Sequence, residues 1–405
     1  MYTMSLYPFG KLNTKTAFMI PMLLISMFTV ISLVTTQTNI GIAPSIAKLS
    51  PTILEKITTL GNAPVNVLIE TFGRDYSNVI NAIDALGGTV GHKFKYVNAL
   101  SATLPANRIA QLASNNDIVK IYLDVERNVA SSSDESLMTP TGVGDLDSLL
   151  AEPTMLATEG YEVTSVAPEE LIASDPANYW NPWGMGAATS DVWEKTNYGM
   201  DSLAVIIDTG IWTGHWMFWE TDVIDGVDLS FDVDTELEGW DMATNHYHGS
   251  HVAGILASTG GIVVPPDDLL ALSIELYSGM TLPIDPDTGG KIIWLLGMAP
   301  ASSLYIVKVF DHTGGSIPES MVIAGMEYAL DLKLVEGVDI DIISMSLGGA
   351  TIFDGRDIED QLVDIITANG ITLVAAAGND GPASMTVGSP GSAYTRLLQV
   401  LLQTL

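Results

Sequence analysis

Residues 202–210, SLAVIIDTG, hold a short apolar run, rich in β-branched residues, that ends in a carboxylate and a Thr-Gly pair. A continuous apolar run of this length is typical of a strand buried on both faces of a parallel sheet. Similar runs occur at residues 303–310 (SLYIVKVF), 338–349 (VDIDIISMSLGG) and 371–380 (ITLVAAAGND). Helical patterns separate these runs, so their order predicts a doubly wound, mostly parallel α/β sheet with right-handed crossovers.

Two of the intervening helices have recognisable ends. Ser316 followed by Glu319 has the spacing of a capping box and predicts a helix start. Residues 357–370, DIEDQLVDIITANG, predict a helix that Gly370 ends.

Polar residues follow the predicted strands, where ligands bind in sheets of this kind. They are Asp208, the SLGG turn at residues 346–349, and Asn379. Taken alone, Asp208 suits either a turn before Thr-Gly or a carboxylate that orients a histidine.

Residues 245–258, NHYHGSHVAGILAS, place His246, His248 and His251 within six positions. Spacing alone leaves a metal site, a catalytic base and a His-rich helix start all open, because His248 and His251 could share a helical face. A carboxylate, an imidazole and an amide at strand ends or loops would together suit acyl transfer, as orienter, general base and oxyanion donor.

Four motifs in sequence order resemble the subtilisin-like serine proteases, or subtilases. They are VIIDTGI around Asp208, HGSHVAGILAS from His248, DIISMSLGG, and VAAAGND with Asn379. GMAPASSLYIVKVF resembles the turn and strand that lie between them in the family. The resemblance implies a subtilisin-like fold, with Asp208 as triad carboxylate, His248 as base and Asn379 as oxyanion donor. It also implies that substrate binds along Ser346, Leu347, Gly348, Gly349, Ala377 and Gly378.

The sequence departs from the family at the nucleophile. The Gly-Thr-Ser-Met-Ala motif expected after the asparagine does not occur, and residues 394–405, YTRLLQVLLQTL, do not continue the pattern. Ser392 is a remote substitute only. We therefore expect this chain to lack its catalytic serine and to be inactive. The pattern of residues 394–405 is typical of a truncated or frameshifted end.

The first forty residues are predicted to direct export. Lys11 and Lys15 precede residues 17–34, AFMIPMLLISMFTVISLV, which carry no charge. This pattern is typical of a signal peptide, and its length also suits an uncleaved anchor. The expected location is extracellular, or membrane-anchored on the outer face.

Residues 63–130 predict a small α+β domain with a β-α-β-β-α-β, ferredoxin-like succession. They carry six acidic and six basic residues, whereas residues 131–178 read as an acidic, exposed linker without a base. The resemblance identifies 63–130 as an inhibitory propeptide and 179–405 as a catalytic domain that is incomplete at its C-terminus.

Composition limits the remaining choices. A net charge of −32 disfavours a nucleic-acid partner, and the absence of cysteine excludes disulfides and thiolate chemistry. No metal site is predicted with certainty, but oxygen-rich clusters at residues 285–290 and 222–234 leave calcium as a candidate cofactor. The function that fits best is a secreted endopeptidase precursor acting on proteins or peptides, with a pseudoprotease or peptide-binding remnant as the alternative and a metal-binding exported protein as a weaker third.

Overall fold

The structure is a computed structural model that describes residues 43–129, 162–174, 179, 188–350, 356–380, 386–395 and 397–399. The chain divides into two compact units. The first contains the described residues up to Gly91 together with Leu100–Leu123, and the second contains His92–Ala99 and the chain from Asp124 onward.

The first unit contains a four-stranded sheet with the order β2-β3-β1-β4, in which β1 and β4 are antiparallel. Its core is aliphatic and includes Val67, Ile83, Leu100 and Ile109. The strands are β1 (Pro64–Thr71), β2 (Thr89–Lys93), β3 (Ala99–Pro105) and β4 (Ile118–Leu123), and the helices are α1 (Ala43–Ile46), α2 (Pro51–Thr59), α3 (Ser77–Ala85) and α4 (Ala106–Leu112). The predicted ferredoxin-like α+β succession is confirmed.

The second unit is built on a six-stranded sheet in which all neighbouring strands are parallel. Its order is β16-β15-β13-β7-β11-β8. The strands are β7 (Leu203–Asp208), β8 (Val223–Asp228), β11 (Ser303–Lys308), β13 (Ile342–Met345), β15 (Thr372–Ala376) and β16 (Leu397–Gln399). The predicted α/β, mostly parallel sheet is confirmed, and β7 is buried at every position, as its apolar sequence indicated.

The strand order brings the polar residues of interest to one edge of the sheet. β13 lies between β7 and β15, with Ile343 paired to Val205 on one side and to Leu373 on the other. Because all three strands are parallel, the residues at or just after their carboxyl ends are neighbours. Those residues are Asp208, Ser346 and Ala377.

Helices connect the strands with the expected chemistry at their ends. Asp357 caps the helix Ile358–Ala368 by accepting a hydrogen bond from the Asp360 amide, and Gly370 ends it with a φ of +81°. The helices of this unit are α5 (Pro168–Ala173), α6 (Ala188–Thr196), α7 (Tyr247–Ala257), α8 (Leu269–Ser278), α9 (Glu319–Leu334) and α10 (Ile358–Ala368).

A second, three-stranded sheet has the order β10-β9-β6, with β6 (Glu162–Ser165), β9 (Gly260–Val264) and β10 (Lys291–Trp294). β6 and α5 fall inside the stretch predicted to be an exposed linker. The structure differs there because β6 pairs with β9 and Leu171 of α5 is fully buried.

A third sheet has the order β12-β5-β14, with β5 (Glu126–Val129), β12 (Ile317–Pro318) and β14 (Leu347–Gly348). It shows that the capping box predicted at Ser316 and Glu319 is wrong. Ile317 and Pro318 are extended and pair with β5, so α9 begins only at Glu319 and has no side-chain cap. The Glu319 carboxylate instead bonds to Arg127.

Three predictions fall on other parts of the chain. The export segment at residues 1–40, most of the acidic linker and the last six residues lie outside the described residues. Within the described part, no helix is both long and apolar enough to cross a membrane.

Candidate active site

Asp208 and His248 form a buried pair at the carboxyl end of β7. His248 Nδ1 lies 2.8 Å from Asp208 Oδ1 and 3.0 Å from Oδ2. The Asp208 side chain is fully buried and that of His248 is 6% exposed. A carboxylate at Nδ1 favours the tautomer that leaves Nε2 as the basic nitrogen, and it stabilises the imidazolium once a proton is taken. The pair can therefore act as a general base.

The backbone around this pair is fixed by two further contacts. Thr209 Oγ1 donates to the His246 carbonyl at 2.8 Å and accepts from the Gly249 amide at 2.9 Å. A Cβ on Gly249 would lie 2.0 Å from the Gly210 carbonyl oxygen. Glycine at 249 therefore lets α7 approach the end of β7 closely enough for His248 to reach Asp208.

The other two histidines of this segment have different places. His246 is the N-cap of α7, and its Nδ1 accepts from the His248 amide at 3.4 Å. His251 lies one turn further along α7 and is exposed. The ring that bonds the Asp208 carboxylate is that of His248.

The SLGG segment and Asn379 meet at a common cavity of about 390 Å³. Leu347, Gly348, Gly349, Gly378 and Asn379 line it. Ser346 and Ala377, predicted with them, are not among its lining residues, although the Ala377 carbonyl accepts from the Gly388 amide at the cavity wall. Asn379 itself is exposed.

Strand β5 occupies the open edge of the SLGG segment. Val129 pairs with Leu347 and Asn128 with Gly348 in antiparallel register, while Arg127 pairs with Ile317 on the other side. A Cβ on Gly349 would lie 2.8 Å from the Glu126 carbonyl oxygen. The strand is therefore paired on both edges, with β12 on one side and β14 on the other.

The serines near the C-terminus are engaged by carboxylates. Ser392 Oγ donates to both oxygens of Asp360, at 3.1 and 2.9 Å. Ser389 Oγ donates to Asp357, Glu359 and Asp360. Burial raises the pKa of Asp360 to about 8, and the charges of Asp357 and Glu359 raise it too.

The acidic segments considered for calcium use their carboxylates in other ways. Asp228 and Asp232 accept from the buried Lys308 ammonium at 2.9 and 2.8 Å. Asp285 accepts from the Asp287 and Thr288 amides of its own turn. Among the described residues, no group of three or more His, Cys, Asp or Glu is arranged to hold a metal ion.

Sequence reasoning missed the acidic pocket around Arg127. Arg127 Nε and Nη2 lie 2.8 and 2.7 Å from Glu359 Oε2, and Nη2 lies 3.2 Å from Glu319 Oε2. All three side chains are buried. The sequence offers little signal, because Arg127 lies between the polar residues Glu126 and Asn128 and Glu319 has the local pattern of a capping residue.

Comparisons with known proteins agree with the motifs. The Subtilase family model matches residues 199–400. Subtilisin E of Bacillus subtilis is 26% identical over 312 residues, which cover 76% of this chain and 57% of that protein. Subtilisin DY of Bacillus licheniformis is 31% identical over 212 residues, 52% of this chain and 60% of that protein. The chain thus spans a little over half the length of these curated relatives.

A solved structure, fervidolysin of Fervidobacterium pennivorans, superposes with a TM-score of 0.47 at 17% identity, covering 83% of this chain and 43% of that one. The matched region, 199–400, contains Asp208, His248, the SLGG segment and Asn379. The chain belongs to the subtilase family.

Proposed function

We propose that the protein is the precursor of a secreted serine endopeptidase that hydrolyses peptide bonds through an acyl-enzyme. Asp208 orients His248, and His248 takes the proton of the attacking hydroxyl and returns it to the leaving amine. Asn379 stabilises the oxyanion, and substrate adds as a strand along residues 346–349, with Ala377 and Gly378 beside it. The observation that carries the proposal is the buried His248–Asp208 pair at 2.8 Å.

The segment 63–130 is proposed to act as an inhibitory propeptide through its C-terminal end. Two contacts support this role. Strand β5 lies along Leu347 and Gly348, and Asp124 accepts from the amide and the hydroxyl of Ser320 in the first turn of α9, at 2.9 and 2.7 Å. A peptide in that position would compete with substrate for the same backbone groups.

A second candidate function is peptide binding without hydrolysis. Asp208, His248 and Asn379 provide no nucleophilic atom, and the Ser392 hydroxyl is bonded to Asp360. The peptide-like pairing of β5 is the observation that favours this second candidate.

A serine-directed fluorophosphonate probe tests both parts. The purified 405-residue chain should remain unlabelled, while subtilisin E is labelled under the same conditions. Stoichiometric labelling at Ser392 would contradict the absence of a nucleophile.

A chimera joined after Ala393 to the serine-bearing C-terminal segment of subtilisin E should become labelled once the propeptide is released. His248→Ala should then lower labelling by several orders of magnitude. His251→Ala, the matched control on the same helix, should keep it within about tenfold of the unmutated chimera. Equal losses in the two variants would contradict the role given to His248.

A further inference from the structure

The strand β5 carries one side chain inward. Along Glu126–Val129 the exposure alternates, with Glu126 and Asn128 exposed and Arg127 buried. Its side chain is 1% exposed although it is charged. A wholly buried guanidinium requires partners that compensate its lost hydration, so the surface that receives Arg127 has to be acidic.

Two carboxylates from different helices provide that compensation. Glu359 lies in the first turn of α10 and Glu319 begins α9, and both side chains are at most 5% exposed. Arg127 donates through Nε and Nη2 to Glu359 and through Nη2 to Glu319. The planar guanidinium spans two acceptors in a way that the single ammonium of a lysine does not reproduce.

The pocket holds more acidic groups than Arg127 alone can pair. Burial alone would lower the pKa of Arg127. The negative charges of Glu359, Glu319 and Asp357 outweigh that effect and raise the pKa of Arg127 above its ordinary value. Burial raises the pKa of both Glu319 and Glu359, with Arg127 opposing the shift. Glu359 Oε1 is buried and, among the described residues, has no hydrogen-bond partner.

The position of this pocket connects it to the peptide groove. Arg127 stands two residues before Val129, whose partner is Leu347 of the SLGG segment. Arg127 itself pairs with Ile317, the residue two positions before Glu319. The backbone pairing that would hold any peptide in the groove therefore delivers the corresponding side chain to the same two glutamates.

We propose that Glu319 and Glu359 form an arginine-selective subsite, so that the groove prefers peptides and protein segments with arginine where β5 carries Arg127. The proposal rests on the proposed function, because it takes β5 as a stand-in for substrate. It names the substrate class: extended segments with arginine at that position.

Binding of fluorescent peptides to the full 405-residue chain tests the proposal. Arg127→Ala empties the pocket and loosens β5, so capped peptides can enter in trans. The first peptide copies residues 126–129, Glu-Arg-Asn-Val. Three others are Glu-Lys-Asn-Val, Glu-Met-Asn-Val and the charge-matched Arg-Glu-Asn-Val, in which arginine is moved by one position.

Anisotropy titrations should give a dissociation constant at least about tenfold lower for Glu-Arg-Asn-Val than for each of the other three. Adding Glu359→Gln to the Arg127→Ala chain should remove most of that preference, whereas Glu126→Gln, at an exposed side chain, should retain it. Asn128→Pro, which interrupts strand pairing and leaves the pocket side chains unchanged, provides the same comparison if Arg127→Ala does not fold.

Each other result would overturn the proposal in a distinguishable way. Equal binding of the four peptides would remove the arginine subsite while leaving a peptide groove. Tighter binding of the lysine peptide and the moved-arginine peptide alike would show attraction to the acidic surface only. Binding of none of the peptides would contradict the proposed function as well.

Discussion

Two buried cations in this protein are held by pairs of carboxylates, and the pairs differ. Lys308 lies between Asp228 and Asp232, and Arg127 lies between Glu319 and Glu359. Burial alone would raise the pKa of Asp228 and Asp232, but hydrogen bonds from Ser230, Lys308 and nearby amides bring it below the ordinary value. In the other pair burial prevails and the pKa of both glutamates is raised.

The difference lies in the backbone. Asp228 accepts from the Ser230 and Gly239 amides, and Asp232 accepts from the His312 amide. These donors stabilise the ionised aspartates whether or not a cation is present. Among the described residues, no backbone amide donates to the carboxylate of Glu319 or Glu359, and both carboxylates face further acids. The Lys308 cluster is thus a permanent part of the fold, whereas the glutamate pocket depends on a cation delivered by a separate strand.

The largest expected effect is on the permanent cluster. Lys308→Met should lower the free energy of unfolding by about 3–5 kcal/mol, because two buried aspartates lose their counter-charge. Denaturant unfolding followed by circular dichroism measures it. The control Lys333→Met, whose partner Asp339 is 95% exposed, should cost less than about 1 kcal/mol. Equal costs would contradict the account of the Lys308 cluster.

Arg127→Met should lower the free energy of unfolding by a smaller amount, about 1–3 kcal/mol at pH 7. The two glutamates that lose their cation can take up protons, which limits the loss. Their folded pKa is already raised, so at low pH they are neutral and the missing cation matters little. The cost should grow as pH rises through the folded pKa of Glu319 and Glu359. Denaturant unfolding of the parent and of Arg127→Met at pH 5 and pH 8 measures this difference. A loss of stability that is smaller at pH 8 than at pH 5 would contradict the prediction.

A smaller effect should appear at Asp360, whose pKa is about 8 when folded. The unfolded chain loses this proton near pH 4, so the contribution of Asp360 to stability is present at low pH and is lost as pH rises toward 8. Asp360→Asn should therefore be more stable than the parent at pH 8, by at least about 1 kcal/mol. Asp339→Asn, at an exposed site, should leave the pH profile unchanged. A parent profile that is flat between pH 4 and pH 8 would argue against the raised pKa.

The sequence predicted the sheet well because buried parallel strands have a strong signal. The runs ending at Asp208 and Lys308 are short, mostly apolar and rich in β-branched residues, which is typical of buried parallel strands. The Asp208 and His248 positions followed from their motifs, although the contact between them depends on the close packing at Gly249.

The glutamate pocket could not be predicted, because its members are far apart in sequence. Glu319 at a helix start has the local pattern of a capping residue, and only the pairing of Ile317 with Arg127 shows its other use. Glu359 likewise reads as an acid in the first turn of α10, where acids are favoured by the helix dipole. Local sequence preference therefore predicts a helix-end role for both glutamates, whereas in the folded protein both bind Arg127.

Amide hydrogen exchange of residues 124–129 tests the central claim most directly, namely that β5 lies in the peptide groove and is anchored by Arg127. In the intact chain the amides of β5 and β14 should be protected together, and Arg127→Met should speed their exchange by about tenfold or more while β7 stays protected. Glu126→Gln should change neither strand. Unprotected β5 amides in the intact chain, or protection that Arg127→Met leaves unchanged, would contradict the claim.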